Sequence, residues 1–265
     1  MKARLHGAGS EKVFSCQKSA LYRTEWRGNT VAIKHIPRPF CVMNSMGMSL
    51  ESIALQRLQM SPRVVKHFDT IYEEDDVFII MEWIHGHNIK QYVEGLERPL
   101  TEQKVKFILC RIAEFLRTCN HYGYIYGDTK PENIMIQPSG TVKVLDFGCT
   151  RNIHTVINYY MGTPIYFSPE MFDKVLLPAY DVWGLGVLAY YMACGSHPFI
   201  NEPYSSHNIE SVRNAILDKS VSFHHPVWKE WSEDGKALIL QMLEKDPCLR
   251  PTIHSIYHNL WHESS

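Results

Sequence analysis

The sequence lacks the marks of several protein classes. It has no Cys-x-x-Cys pair for zinc or redox work, and its seven cysteines, Cys16, Cys41, Cys110, Cys119, Cys149, Cys194 and Cys248, are odd in number and widely spaced. A reduced intracellular setting, the cytoplasm, is therefore expected. No apolar run approaches the ~20 residues of a membrane-crossing helix, the longest being 183–194, so no membrane span is expected. The first nine residues contain no apolar stretch of a secretory leader. Net charge is nearly absent, 27 basic against 28 acidic residues, so no overall field draws the chain to nucleic acid and no such partner is expected. The histidines form no His-Glu-x-x-His; His85/His87 and His224/His225 read as loop residues rather than metal ligands. There is no internal repeat and no low-complexity tract.

What the chain has is size and two kinds of periodicity. Its 265 residues, 45% hydrophobic, suffice for one large domain or two lobes sharing a core. The first third reads as strands. Residues 12–17 and the β-branched, alternating stretch 30–36 flank a polar turn at Trp26-Arg27-Gly28-Asn29 and are expected to form a hairpin. Residues 49–59 carry Leu50, Ile53, Ala54, Leu55 and Leu58 at helical spacing behind Ser49, a natural N-cap. The runs 64–72 and 77–82, parted by Glu73-Glu74-Asp75-Asp76, predict a second hairpin. Beyond Gly86 the period becomes helical, most clearly over 101–121, then 179–194, 209–217, 233–244 and 253–259. Two short β-type runs, 134–137 and 142–145, surround the turn Pro138-Ser139-Gly140.

Phosphoryl transfer needs a lysine on the phosphates, a metal-binding carboxylate and a carboxylate that orients the attacking hydroxyl. Each has a candidate. Val31-Ala32-Ile33-Lys34 puts an ammonium at the end of a strand, with Glu51 on the next helix able to hold it. Taken alone, Lys34 is an ordinary surface lysine. Asp128-Thr129-Lys130-Pro131-Glu132-Asn133 and, beyond the short hairpin, Asp146-Phe147-Gly148 bring two carboxylates and an amide to one region. In this reading Asp128 orients and deprotonates the acceptor hydroxyl, Asn133 and Asp146 bind magnesium, and Lys130 neutralises the moving phosphoryl.

At these residues, and through Ser168-Pro169-Glu170 and Asp181-Val182-Trp183-Gly184 in the same order, the chain resembles the eukaryotic protein kinase superfamily over nearly its whole length. The resemblance implies an α+β, two-lobed protein kinase fold: a small antiparallel β-sheet lobe with one main helix, 1–84, and a larger, mainly helical lobe, 85–265, in a single kinase domain. It implies ATP and Mg2+ as cofactors and protein substrates as partners, with any regulatory protein unknown. It places Gly7 and Gly9 in the glycine-rich lid, Ala32 and Met135 about the adenine, Met81 behind it, and Glu82 and Ile84 as backbone partners from the linker. It pairs Glu170 with Arg250. Lys130 and Thr163 look like the Ser/Thr branch, Tyr160, Pro164 and Phe167 line a pocket for the residue after the acceptor, and Glu132 is a contact for a basic substrate residue. The stretch from Phe223-His224-His225-Pro226 to Trp261 is similar to the calcium/calmodulin-dependent group, although no EF-hand loop is present.

Three departures stand out. Lys12 occupies the place of the third lid glycine, which predicts a stiffer lid and keeps a pseudokinase, a nucleotide-binding or scaffolding module, as the alternative to an active Ser/Thr kinase. A small-molecule kinase fits less well with the segment from Gly162 to Glu170. Tyr126-Gly127-Asp128 stands where the family has His-Arg-Asp; Gly127 has no cation for a phosphorylated loop residue. The stretch 149–161 is thus expected to fold without obligatory phosphorylation, with Thr155, Tyr159 and Tyr160 as non-essential sites. Tyr126 is expected to pack beside Phe147 and Leu55, its hydroxyl needing a partner, and Cys149 to be a small core residue.

Overall fold

The computed structural model describes residues 9–200 and 208–264, with side chains as far as Leu260. By its internal contacts the chain divides into two units, Met1–His85 and Gly86–Ser265.

The smaller unit is an antiparallel sheet built from β1 (Glu11–Ser15), β2 (Ala20–Trp26), β3 (Asn29–Pro37), β4 (His67–Tyr72) and β5 (Asp76–Glu82), in the order β1-β2-β3-β5-β4. The expected pairing of 12–17 with 30–36 does not form. A separate strand, Ala20–Trp26, lies between the expected pair, and it is β2 that turns through Arg27 and Gly28 into β3. Both turn residues have positive φ, 53° and 75°, the paired left-handed conformation that suits a tight hairpin. Strand β5 lies between β3 and β4, with Val77, Phe78, Ile79 and Ile80 fully buried. Its alternate residues feed two faces. Phe78 and Ile80 join Tyr22, Val31 and Ile33 in one apolar cluster, edged by Trp26 and Phe68. The opposite face carries Lys34, which lies across from Ile79.

Helix α1 (Leu50–Arg57) covers that second face. Ser49 caps it by accepting from the Ser52 amide, and Ser52 bonds Thr70 of β4 at 2.6 Å. Gln59 ties its end to the neighbouring chain, accepting from the His67 amide and donating to the Val65 carbonyl.

The larger unit is organised on helices α2 (Ile89–Glu94), α3 (Glu102–His121), α4 (Ala179–Cys194), α5 (Ile209–Asp218), α6 (Glu233–Met242) and α7 (Ile253–Ser264). Helix α3 buries one stripe, including Val105, Ile108, Leu109, Ile112, Phe115 and Leu116, as its period requires. Helix α4 is buried on nearly every side and forms the unit's centre, which explains its nearly continuous apolar run. A Cβ on Gly184 would come within 2.9 Å of Thr129, and one on Gly186 within 2.8 Å of Met242, so the two glycines admit the loop at Thr129 and α6 close to the α4 axis.

Small β elements complete this unit: β6 (His87–Asn88), β8 (Ile134–Ile136) and β9 (Val142–Val144) form one sheet, and β7 (Tyr124–Ile125) pairs with β10 (Arg151–Asn152). No helix among the described residues is long and apolar enough to cross a membrane.

Candidate active site

In the smaller unit, Lys34 projects from β3 and its Nζ lies 2.7 Å from Oε1 of Glu51 on α1, with both side chains largely buried. Ala32, Met81 and Ile84 are buried in the same unit. Glu82 directs its amide to the Lys66 carbonyl at 2.9 Å, and its Oε1 accepts from the Lys66 amide. Gly9 has φ 102°, a conformation that glycine adopts without strain, while Gly7 lies outside the described residues. Lys12 sets its ammonium over the Tyr22 ring at 5.6 Å. Tyr22 pairs with Ile33, one residue before Lys34, so Lys12 reaches the sheet face opposite Lys34.

In the larger unit, the residues from Asp128 to Asn133 form a hydrogen-bonded knot. One oxygen of Asp128, Oδ2, takes both Lys130 Nζ and Asn133 Nδ2, each at 2.7 Å. Asn133 Nδ2 also donates to the Asp128 carbonyl at 3.0 Å. Lys130 continues to Thr163 Oγ1 at 2.9 Å, joining this loop to the segment that follows Gly162. The second oxygen, Oδ1, lies toward Gly162, where an added Cβ would stand 3.5 Å from it and 3.1 Å from the Gly127 carbonyl. Gly162 has φ 91°, so both backbone and space call for glycine there.

Burial raises the pKa of Asp128; Lys130 opposes the rise and Asp146 adds to it. For Lys130, burial pulls downward but the Asp128 carboxylate outweighs it, and the ammonium is held more firmly than usual. Asp146 has φ 54°, rare for a residue other than glycine, and its Oδ1 accepts from the Gly148 amide. Met135, in β8 between Asn88 and Lys143, is half-buried.

The loop is hung from below by Asp181 on α4, whose two oxygens accept the amides of Tyr126 at 2.8 Å and Gly127 at 2.9 Å. Burial lifts its pKa to about 6, against the pull of those two donors. Tyr126 packs edge-on against Phe115 and Phe147, and its hydroxyl has the partner it needs, the carbonyl of Leu145 at 2.5 Å, directly before Asp146. Gly127 is more than an absent arginine. At φ 80° a Cβ there would fall 2.7 Å from the Cys149 carbonyl, so the backbone after Asp146 packs directly on it. Burial pushes the Cys149 thiol up to about 12, which keeps it protonated and unreactive at neutral pH.

The stretch from Cys149 to Gly162 is tied down by neutral contacts. Thr150 Oγ1 donates to the Tyr126 carbonyl, β10 pairs with β7, and the Ile153 amide reaches the Gly123 carbonyl. Arg151, buried, donates through Nη1 to the carbonyls of Gly148 and Thr150, and through Nε and Nη2 to the Tyr159 hydroxyl. Arg151 carries no mark in the sequence, because a two-residue strand has no period to read.

At the far end of the next segment, Glu170 and Arg250 meet in a buried two-pronged pair at 2.8 and 3.1 Å. The remaining donors of Arg250 go to the carbonyls of Ala179 and Glu244. Among the predicted substrate residues, Tyr160 is exposed and Pro164 half-buried, whereas Phe167 is fully buried against Tyr160 and Phe172. Phe167 therefore backs Tyr160, with 0% of its own surface exposed. Glu132 lies 3.8 Å from Lys90 through Oε1, and its Oε2 is buried without a hydrogen-bond partner.

Sequence comparison gives this arrangement its family. A family model described as protein kinase domain matches residues 11–262, nearly the whole chain, and the chain belongs to that family. Among its relatives are a CDPK-related protein kinase of Daucus carota, 25% identical over 95% of this chain and 42% of its own, and a probable cAMP-dependent protein kinase catalytic subunit of Encephalitozoon cuniculi, 35% identical over 74% and 58%. A sperm motility kinase 2B of Mus musculus is 27% identical over 93% of this chain and 49% of its own. The chain spans about half the length of these relatives or less in the first, more in the second.

Proposed function

We propose that the protein is an active Ser/Thr kinase that transfers the γ-phosphoryl group of ATP to hydroxyls of protein substrates, and that it does so without obligatory phosphorylation of the stretch 149–161. The observation that carries this reading is the division of labour on Asp128. Its Oδ2 is fully engaged by Lys130 and Asn133, which fixes the carboxylate plane, while Oδ1 has no protein donor among the described residues and faces the segment after Gly162. An acceptor hydroxyl on Oδ1 is oriented, and its proton has a destination in a carboxylate whose basicity burial has increased. Lys130, kept cationic, meets the charge on the transferring group.

The donor set suits Mg2+. Because Asn133 spends its Nδ2 on Asp128, its amide oxygen is the atom left to coordinate, and Asp146 adds a carboxylate; magnesium prefers such hard oxygen ligands. When bound, the ion neutralises phosphate charge. The Lys34–Glu51 pair supports the same reading by holding an ammonium ready for the nucleotide phosphates. Ala32, Met81, Glu82, Ile84 and Met135 are the proposed adenine contacts, with Gly9 and Gly7 in the lid. The link from Lys130 to Thr163 supports Ser/Thr acceptors, and the partly exposed Glu132 side chain is the proposed contact for a basic residue on the substrate. Phosphate independence is supported by Gly127, which offers no cation and carries the Cys149 backbone directly. Seven free cysteines support a reducing, cytoplasmic setting.

Transfer of labelled phosphate from ATP to a peptide library by wild type and Asp146→Asn tests the proposal. Transfer to Ser or Thr by wild type, lost in Asp146→Asn, is expected. Equal background in both would favour the pseudokinase, for which Lys12 in the lid is the supporting observation, and phosphotyrosine as the main product would overturn the Ser/Thr assignment.

A further inference from the structure

The segment from Thr163 to Glu170 is tethered at its two ends by charged machinery, Lys130 on Thr163 and Arg250 on Glu170. Its middle is a single turn, Pro164–Tyr166, closed by the Tyr166 amide on the Thr163 carbonyl and the Phe167 amide on the Pro164 carbonyl. One side chain reaches that turn from elsewhere in the unit. His197 Nε2 donates to the Ile165 carbonyl at 2.8 Å, while its Nδ1 accepts the Phe199 amide at 3.2 Å. These two bonds fix the tautomer and the ring plane. Burial lowers the imidazole pKa to about 4, so it is neutral and keeps both roles at physiological pH.

The anchor behind His197 is rigid. Phe199 is fully buried and stacks on Trp183 of α4 at 5.5 Å and 9°, and the Lys245 ammonium lies 4.0 Å from the Phe199 ring centre. Lys219 Nζ holds the Phe199 carbonyl at 3.0 Å. On its other side, the His197 ring meets the Tyr166 ring edge-on. A neutral imidazole thus transmits the position of the α4 core to the turn that carries Pro164.

We propose that His197 is a positioning residue for the acceptor peptide: by pinning the Ile165 carbonyl it sets the wall, made by Tyr160 and Pro164, that the residue after the acceptor hydroxyl meets. The inference rests on the kinase reading for the identity of that peptide. It assigns part of the selectivity at that position to a residue that touches neither peptide nor nucleotide.

The test needs no phosphate transfer. Equilibrium binding is measured on the full chain for acceptor peptides that differ only in the residue after Ser or Thr, together with amide hydrogen exchange over 163–167. His197→Phe keeps the ring contacts and removes both hydrogen bonds; His197→Gln keeps a donor. In His197→Phe the preferred peptide binds about tenfold more weakly, the ranking of peptides flattens, and the Tyr166 and Phe167 amides exchange faster; His197→Gln falls between. Wild-type affinity and ranking in His197→Phe overturns the proposal. So does a uniform weakening that preserves the ranking, which general loosening would produce, or a wild type indifferent to that residue. If His197→Phe does not fold, His197→Gln decides by the same readouts. Failure of wild type to transfer phosphate in the separate ATP assay would sink the kinase reading, while the binding series still judges His197.

Discussion

Arg250 and Arg151 are both buried in the larger unit, and they are satisfied in different ways. Arg250 faces the Glu170 carboxylate through two bonds and spends its other donors on carbonyls. Arg151 makes four hydrogen bonds, all to neutral oxygens, two of them to the Tyr159 hydroxyl. The first is a closed lock in which charge answers charge; the second holds a strand and a loop with no charge compensation among the described residues. The Nε and Nη2 edge is the side of a guanidinium that matches a planar or tetrahedral oxyanion, and here a tyrosine hydroxyl sits on it. In a chain whose Gly127 brings no second cation, this neutral contact does the holding that a charged one would do more strongly.

The largest expected effect breaks the closed lock. Arg250→Met leaves Glu170 buried and uncompensated, and we predict a loss of about 3–5 kcal/mol in folding stability, measured by urea unfolding. Arg151→Met strands carbonyls but no charge, so the predicted loss is smaller, about 1–3 kcal/mol. Equal losses, or a larger one at Arg151, would break the comparison.

How far these locks were readable in the sequence differs in the same way. Glu170 and Arg250 fall in motifs of the family, as do Lys34, Glu51, Asp128, Lys130, Asn133 and Asp146, and long helices such as α3 declare themselves through their apolar stripe. Arg151 and His197 act through backbone carbonyls, and a carbonyl has no letter in the sequence. The merged first hairpin has a similar cause: β2 alternates weakly, with only Tyr22 buried among its seven residues. The burial of Phe167 was not legible either, because an aromatic residue reads alike whether it lines a pocket or backs its wall.

A smaller effect sharpens the role of the neutral contact. Tyr159→Phe removes a half-exposed hydroxyl from the Arg151 edge, and we predict a cost of about 0.5–1.5 kcal/mol, seen as faster amide exchange over 149–161 rather than as global unfolding. Unchanged exchange would show that the loop is held without Arg151.

Asp128 supplies the converse case, a buried acid that keeps its cation beside it and still has a raised pKa, because burial outweighs Lys130. Its base form is lost at a higher pH than for an ordinary carboxylate. As pH falls, kcat/KM should therefore decline from a point above the ordinary carboxylate range, ~3.9 for Asp. An acid limb at or below that range would remove Asp128 from the role of base.

The central claim, phosphotransfer without a phosphorylated loop, is tested most directly by the specific activity of the protein after exhaustive phosphatase treatment, with mass spectrometry confirming that Thr155, Tyr159 and Tyr160 are unmodified. The account predicts Ser/Thr transfer within about twofold of the untreated protein, abolished by Asp146→Asn. An inert dephosphorylated protein that regains activity with one phosphate on 149–161 would contradict it.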